Sequence, residues 1–91
     1  MDIKRGTTLS FLINIPEMIV TEIKCQVRDS SNRLVDTLVL TKKSDTQYLA
    51  QSLDTSKYPL GPVYYDVKIK NGDIIVSSDT QMINIIKEIT L

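Results

Sequence analysis

Apolar and polar side chains alternate with a period of two along most of this chain, and this alternation limits the folds open to it. In IVTEIKCQVR, residues 19–28, one face carries Ile19, Ile23 and Val27, and the other carries Glu22 and Lys24. The stretch PVYYDVKIK repeats the pattern. Such alternation is typical of strands with one face on a core and one face in water. No segment of useful length keeps a helical period.

Seven candidate strands are separated by turn-forming residues, at intervals of about 8–12 residues. They are TTLSFLINI, IVTEIKCQVR, LVDTLVL, TQYLAQSL, PVYYDVKIK, IIVSS and MINIIKEITL. NGD at 71–73 predicts a tight hairpin, because Asn-Gly tolerates the positive φ that such turns need. With 91 residues and no linker or repeat, the chain is predicted to form one domain over 1–91. We expect an all-β fold, an immunoglobulin-like β-sandwich of about seven strands, with a small barrel as the alternative.

The stretch DTSKYPLGPVYYDVKI, residues 54–69, concentrates stiff and aromatic residues. Pro59 fixes φ, and Gly61 permits backbone angles that other residues resist. We therefore predict a rigid corner at which the chain crosses between sheets. Tyr58 is expected to cover the end of the core with its hydroxyl at the rim. Tyr65 is expected to point inward and to bond back to the preceding turn, as in the tyrosine corner of immunoglobulin-like domains, with Tyr64 as its outward neighbour.

The residue types that carry catalysis are absent or scattered. There is no histidine, the usual base and commonest metal ligand near neutral pH. Cys25 falls on the apolar face of its strand, which predicts a buried, inert thiol. Gly6, Gly61 and Gly72 are too far apart for a phosphate-binding loop, and the carboxylates stand one at a time. The sequence predicts no enzyme, no cofactor, no metal site and no small-molecule substrate.

Charge and hydropathy restrict the partners in the same way. Eleven basic and eleven acidic residues give a net charge of zero, which predicts no nucleic-acid binding, because that binding rests largely on phosphate neutralisation. No apolar run is long enough to span a membrane, and the first residues do not resemble a signal peptide. We therefore expect no membrane partner and synthesis in the cytoplasm.

Two candidate strands have apolar residues on both faces, although a monomer needs only one inner face. In LVDTLVL the second set is Val35 and Val39, and in MINIIKEITL it is Met82 and Ile86. Together with the outward Tyr64, these residues form a predicted partner surface. The alternative explanations are a strand at a sheet edge under a loop, or a bulge at Lys87 that switches faces.

Four stretches carry a resemblance to a known family: IKRGTT, CQVRDSSNRLVDTLVL, LDTSKYPLGPVYYDVKI and DTQMINIIKEITL. They are similar to a family of small immunoglobulin-like proteins encoded in the structural gene clusters of tailed bacteriophages. The family motif Asp-Thr-x-x-[Trp/Tyr]-Pro-x-Gly matches residues 54–61. The chain has Tyr58 where tryptophan is common, Asn32 where glycine is common, and a shortened first loop around PEMIV.

The resemblance implies a non-enzymatic structural component of a phage virion, such as a capsid, connector or tail accessory protein. It implies packing against other virion proteins or a further copy of the chain, and residence in the host cytoplasm and then in the virion. The alternative is a phage-encoded binding module that captures a host protein or a surface glycan.

Overall fold

The computed structural model of the protein describes residues 1–88, and that part of the chain contains strands but no helix. Its nine strands are β1 (Asp2–Lys4), β2 (Leu9–Asn14), β3 (Glu22–Asp29), β4 (Leu34–Thr37), β5 (Val39–Ser44), β6 (Gln47–Ser52), β7 (Gly61–Asn71), β8 (Ile74–Ser77) and β9 (Gln81–Ile86). The prediction of an all-β chain is confirmed.

The strands form two sheets. The larger, six-stranded sheet has the order β1-β9-β7-β3-β4, and β8 also pairs with β7. The smaller, three-stranded sheet has the order β2-β6-β5. All neighbours are antiparallel except β1 and β9, which run parallel. β8 and β9 lie along the same side of the long strand β7, and the Ser78 amide between them donates to the Val67 carbonyl at 2.9 Å.

The two sheets share one hydrophobic core, as in a β-sandwich. Cys25 and Val27 from β3 are fully buried, and Val63 and Val67 from β7 are buried beside them. The faces predicted for these strands are therefore confirmed. Ile19 is the exception, because β3 begins only at Glu22 and Ile19 is 75% exposed. The smaller sheet and the last strand supply further buried apolar residues: Leu9, Ile13, Tyr48, Ala50, Ile83 and Ile85.

LVDTLVL was predicted to be one strand, and that prediction is wrong. β4 ends at Thr37 in the larger sheet and β5 begins at Val39 in the smaller sheet. Leu38, between them, is buried, and its amide donates to the Cys25 carbonyl at 2.9 Å. Apolar residues on both faces of this segment follow from the change of sheet. This break and the additional strand β1 raise the strand total from about seven to nine.

The corner after β6 makes a hydrogen bond different from the predicted one. Tyr58 is 3% exposed, and its hydroxyl donates to Asp36 Oδ2 at 2.7 Å. Gly61 has a φ of 100°, which favours glycine, and Pro59 lies on the surface. Tyr65 is half-buried against Phe11, with 4.6 Å between ring centroids, and makes no hydrogen bond to the preceding turn. The corner bond belongs to Tyr58 and not to Tyr65.

Two tight turns have the left-handed backbone that their residues tolerate. Asn71 pairs with Ile74 across the predicted hairpin, which is confirmed, and Gly72 has a φ of 59°. Asn32 has a φ of 64° in the turn between β3 and β4. Asparagine is one of the few side chains that adopt this conformation routinely, so this turn forms without a glycine.

The C-terminal segment was predicted to continue as a strand beyond Lys87. β9 ends at Ile86, so no bulge forms at Lys87 within the strand. The continuation through Ile89 lies outside the described residues.

Candidate functional site

Four outward-facing residues form a row across the larger sheet. Leu34 on β4 lies opposite Arg28 on β3, Arg28 lies opposite Tyr64 on β7, and Tyr64 lies opposite Met82 on β9. Directly opposed side chains on one face of a sheet have Cβ atoms about 4.5–5.5 Å apart. We call this set the outer row.

The outer row presents apolar surface around a positioned guanidinium. Leu34 and Met82, at its two ends, are 53% and 52% exposed. Arg28 is half-buried; its Nη1 donates to the Asn32 carbonyl at 3.1 Å and its Nη2 to Gln26 Oε1 at 3.2 Å. These bonds restrict the rotamers of a long side chain before any partner arrives, which lowers the entropy lost on binding. Tyr, Met and Arg are also enriched in protein interfaces.

The predicted partner surface divides between the two sheets. Tyr64, Met82 and Ile86 all lie on the outer face of the larger sheet, and Ile86 is 37% exposed. Val39 is 64% exposed but belongs to the smaller sheet.

The placement of Val35 on the partner surface is wrong. Val35 is half-buried and packs against the core. The pairing of β3 with β4 shifts register after Val27, so Leu34 lies opposite the outward Arg28. This irregularity turns Leu34 and not Val35 toward solvent. No local pattern of residues signals this shift, since it depends on pairing between strands.

The other half of this face is charged. A groove of about 430 Å³ lies there, and its lining includes Glu22, Lys24, Lys68 and Lys70. Glu22 is 3.2 Å from Lys24 Nζ and 3.6 Å from Lys70 Nζ. The hydrogen bond and charge of Lys24, followed by the charge of Lys70, lower the pKa of the Glu22 carboxyl. These exposed pairs contribute little to stability, and they border the outer row with solvated charge.

A second groove, of about 360 Å³, overlaps the outer row. Arg28, Tyr64, Gln26, Asp66 and Thr80 are among its lining residues. It combines an aromatic ring with several hydrogen-bonding side chains, which is a composition suited to a polar ligand.

The corner residues make hydrogen bonds to other parts of the domain. Thr55, which the sequence analysis did not single out, is fully buried; its hydroxyl donates to the Thr7 carbonyl at 2.6 Å and accepts the Gly6 amide at 2.9 Å. The Tyr58 amide donates to the Thr55 carbonyl at 3.0 Å. The corner thereby holds the turn between β1 and β2. A buried threonine inside a polar loop carries no periodic signal by which it could have been found.

Cys25 lies in the core, as predicted. Its side chain is fully buried, and burial, with a smaller effect of Asp66, raises the pKa of the thiol to about 12. The thiolate is the nucleophilic form of cysteine, so this thiol is unreactive in the folded protein near neutral pH.

Within residues 1–88, no group of three or more His, Cys, Asp or Glu side chains is placed to hold a metal ion. Nor does this part of the chain contain a helix long and apolar enough to cross a membrane. No protein-family model matches the sequence, and a search of curated proteins gives no match.

Proposed function

We propose that this protein is a non-enzymatic structural component of a bacteriophage virion that works by packing against other virion proteins. The outer row is the observation that carries the mode of action. It places Leu34 and Met82, both about half exposed, on one face of the larger sheet with Tyr64 and a pre-positioned arginine. The resemblance of the turn and corner segments to small phage proteins supplies the virion context.

The strand order supports an immunoglobulin-like topology as part of this proposal. In such domains strands C, F and G share one sheet and strands B, E and D share the other, and variable-type domains add C′ beside C. The order β9-β7-β3-β4 corresponds to G-F-C-C′, and β2-β6-β5 corresponds to B-E-D. Domains of this type commonly act as binding modules, with the sheet faces and edges as interaction surfaces.

The test is incorporation into particles produced with variant proteins. Mass spectrometry of purified particles should detect the wild-type chain at a fixed copy number. Met82→Lys and Tyr64→Ala should leave the domain folded, because both residues are on the outer face. Each should reduce incorporation at least about tenfold. That reduction corresponds to a loss of about 1.4 kcal/mol in binding free energy, which is typical of important interface residues.

Val39→Lys is the matched comparison, since Val39 is an exposed apolar residue on the other sheet. It should leave incorporation unchanged. If Val39→Lys prevents incorporation and Met82→Lys does not, the partner surface is the smaller sheet. Particles without the protein would exclude a virion role altogether.

The second candidate function is capture of a host protein or a surface glycan. The groove of about 360 Å³ beside Tyr64 favours it, because Gln26, Asp66 and Thr80 offer hydrogen-bonding groups next to an aromatic ring. A glycan array with the full chain, compared with Asp66→Ala, tests this function directly. Binding that depends on Asp66, together with particles that lack the protein, would establish it in place of the virion role.

A further inference from the structure

β8 carries no charged residue along its length, and none of the other strands in residues 1–88 lies on its outer side. Within residues 1–88 it pairs only with β7. Ile74, Ile75 and Val76 are consecutive and are 62%, 56% and 40% exposed. Edge strands of soluble proteins usually carry charges that block further pairing. β5, at the edge of the smaller sheet, carries Lys42 and Lys43 in this way.

The backbone N–H and C=O groups of β8 point alternately toward β7 and toward the outer edge of the sheet, and those at the outer edge have no strand beside them within residues 1–88. The Lys70 carbonyl accepts the Thr21 amide on the β3 side, so the backbone groups of Ile69 and Asn71 face β8. Ile69 lies opposite Val76, and Asn71 lies opposite Ile74. The N–H and C=O groups of the alternate residues, Ile75 and Ser77, therefore point to the open edge.

We propose that β8 pairs with β8 of a second copy of this chain, antiparallel and with the two-fold axis at Ile75. In this register Ile75 lies opposite Ile75 of the other copy, and the two exchange both backbone hydrogen bonds. Ile74 then lies opposite Val76 on the inner face, so all apolar side chains of the strand meet apolar side chains. Asp73 lies opposite Ser77, whose hydroxyl is a donor for its carboxylate.

Other registers fit less well. An axis at Val76 places Ile75 opposite Ser77, and an axis at Ser77 places Ile75 opposite the charged Asp79. The surrounding strands leave room for the preferred register. The hairpin tip of the second copy, at Gly72, ends beyond Ser77, whereas β1 begins to cover this side of the sheet only at Asn84. The interface is distinct from the outer row, so self-pairing and partner binding are compatible.

The first experiment measures the mass of the full chain by sedimentation over a concentration series from about 1 µM to 1 mM, the range in which small interfaces associate. The wild-type chain should change from monomer to dimer. Ile75→Pro removes the N–H that points to the edge while the β7 pairing is kept, and Ile75→Lys places two like charges opposite each other. Each should weaken association at least about tenfold.

Leu53→Lys is the matched control, because Leu53 is 74% exposed in the loop after β6. It should leave association unchanged. Far-ultraviolet circular dichroism checks that each variant is folded, and Ile75→Lys decides the test if Ile75→Pro fails to fold. A chain that stays monomeric throughout, or a dimer that both Ile75 variants leave intact, overturns the proposal.

A second experiment tests the register by oxidation. Opposed residues of a hydrogen-bonded antiparallel pair have Cα atoms about 5.5 Å apart, which suits a disulfide. Ile75→Cys should therefore form a covalent dimer. Val76→Cys should form much less of it, because the two Val76 residues of the dimer are diagonal neighbours and are farther apart than a directly opposed pair. The buried Cys25 remains as an internal control. Faster cross-linking of Val76→Cys than of Ile75→Cys would refute the register.

Discussion

The hydrogen bond from Tyr58 to Asp36 joins two of the four places at which the described chain changes sheets. Asp36 lies in β4, just before the chain passes through Leu38 to β5, and Tyr58 lies in the corner between β6 and β7. Burial raises the pKa of the Tyr58 hydroxyl, and the adjacent Asp36 carboxylate raises it further. Tyr58→Phe removes this hydroxyl, and with it the bond to Asp36 and a weaker interaction with Ser52, while the buried ring stays in place.

The expected loss follows from the type of bond. The acceptor is a carboxylate, the oxygens are 2.7 Å apart, and the donor is almost completely buried. Hydrogen bonds to charged groups contribute about 1.5–3 kcal/mol. For a domain of this size such a loss lowers the melting temperature by on the order of 10 °C.

The assay is urea unfolding followed by circular dichroism. Tyr64→Phe is the matched control, since the Tyr64 hydroxyl makes no hydrogen bond with the described residues, and it should change stability by less than about 0.5 kcal/mol. A cycle with Asp36→Ala separates the pairwise interaction from effects on each residue alone. If Tyr58→Phe unfolds within about 0.5 kcal/mol of the wild type, the bond between the crossings is not a source of stability and the reasoning fails.

Three further predictions concern the core and a turn. Above about pH 9 the unfolded chain ionises Cys25, whereas the folded protein keeps the thiol protonated because its pKa is about 12. The free energy of unfolding should therefore fall by up to about 1.4 kcal/mol per pH unit as the pH rises toward 12. Thermal melts of Cys25→Ala should lack this part of the decline. Tyr65→Ala removes a ring packed on Phe11 and should lower the free energy of unfolding by about 3 kcal/mol. Tyr64→Ala should lower it by far less. Equal losses for the two variants in urea titrations would contradict the assigned faces of β7. Asn32→Ala should destabilise by about 1–2 kcal/mol because of the left-handed backbone, whereas Asn32→Gly should not, which the same titrations decide.

The features set by local pattern were predictable from the sequence. Alternation identified the inward faces of β3 and β7, because side chains on a strand alternate regardless of its neighbours. The hairpin at Gly72 and the position of the corner after β6 followed from residues with restricted or permissive φ. Each of these signals lies within a few adjacent residues.

The features set by pairing between distant residues were not predictable. Tyr58 was expected in the corner, but its acceptor Asp36 is 22 positions away in the sequence. The parallel pairing of β1 with β9 joins the two ends of the described chain, and Asp2–Lys4 is too short to show a period. The outer row likewise depends on strand order, which brings Leu34 and Met82 onto one line across the sheet.

The change of sheet at Leu38 alters how the surface residues should be interpreted. Apolar residues on both faces of a strand suggested a partner for LVDTLVL, yet Val35 packs on the core from the larger sheet and Leu40 packs on it from the smaller sheet. Two inner faces in one short segment therefore explain most of its apolar character without a partner. β9 changes no sheet, so the same explanation does not extend to Met82 and Ile86, which remain exposed on a strand that is otherwise buried at Ile83 and Ile85. The case for a partner surface accordingly rests on Ile86 and the outer row, in which Leu34 is likewise exposed, and the substitutions at Met82 and Tyr64 are the ones that decide it.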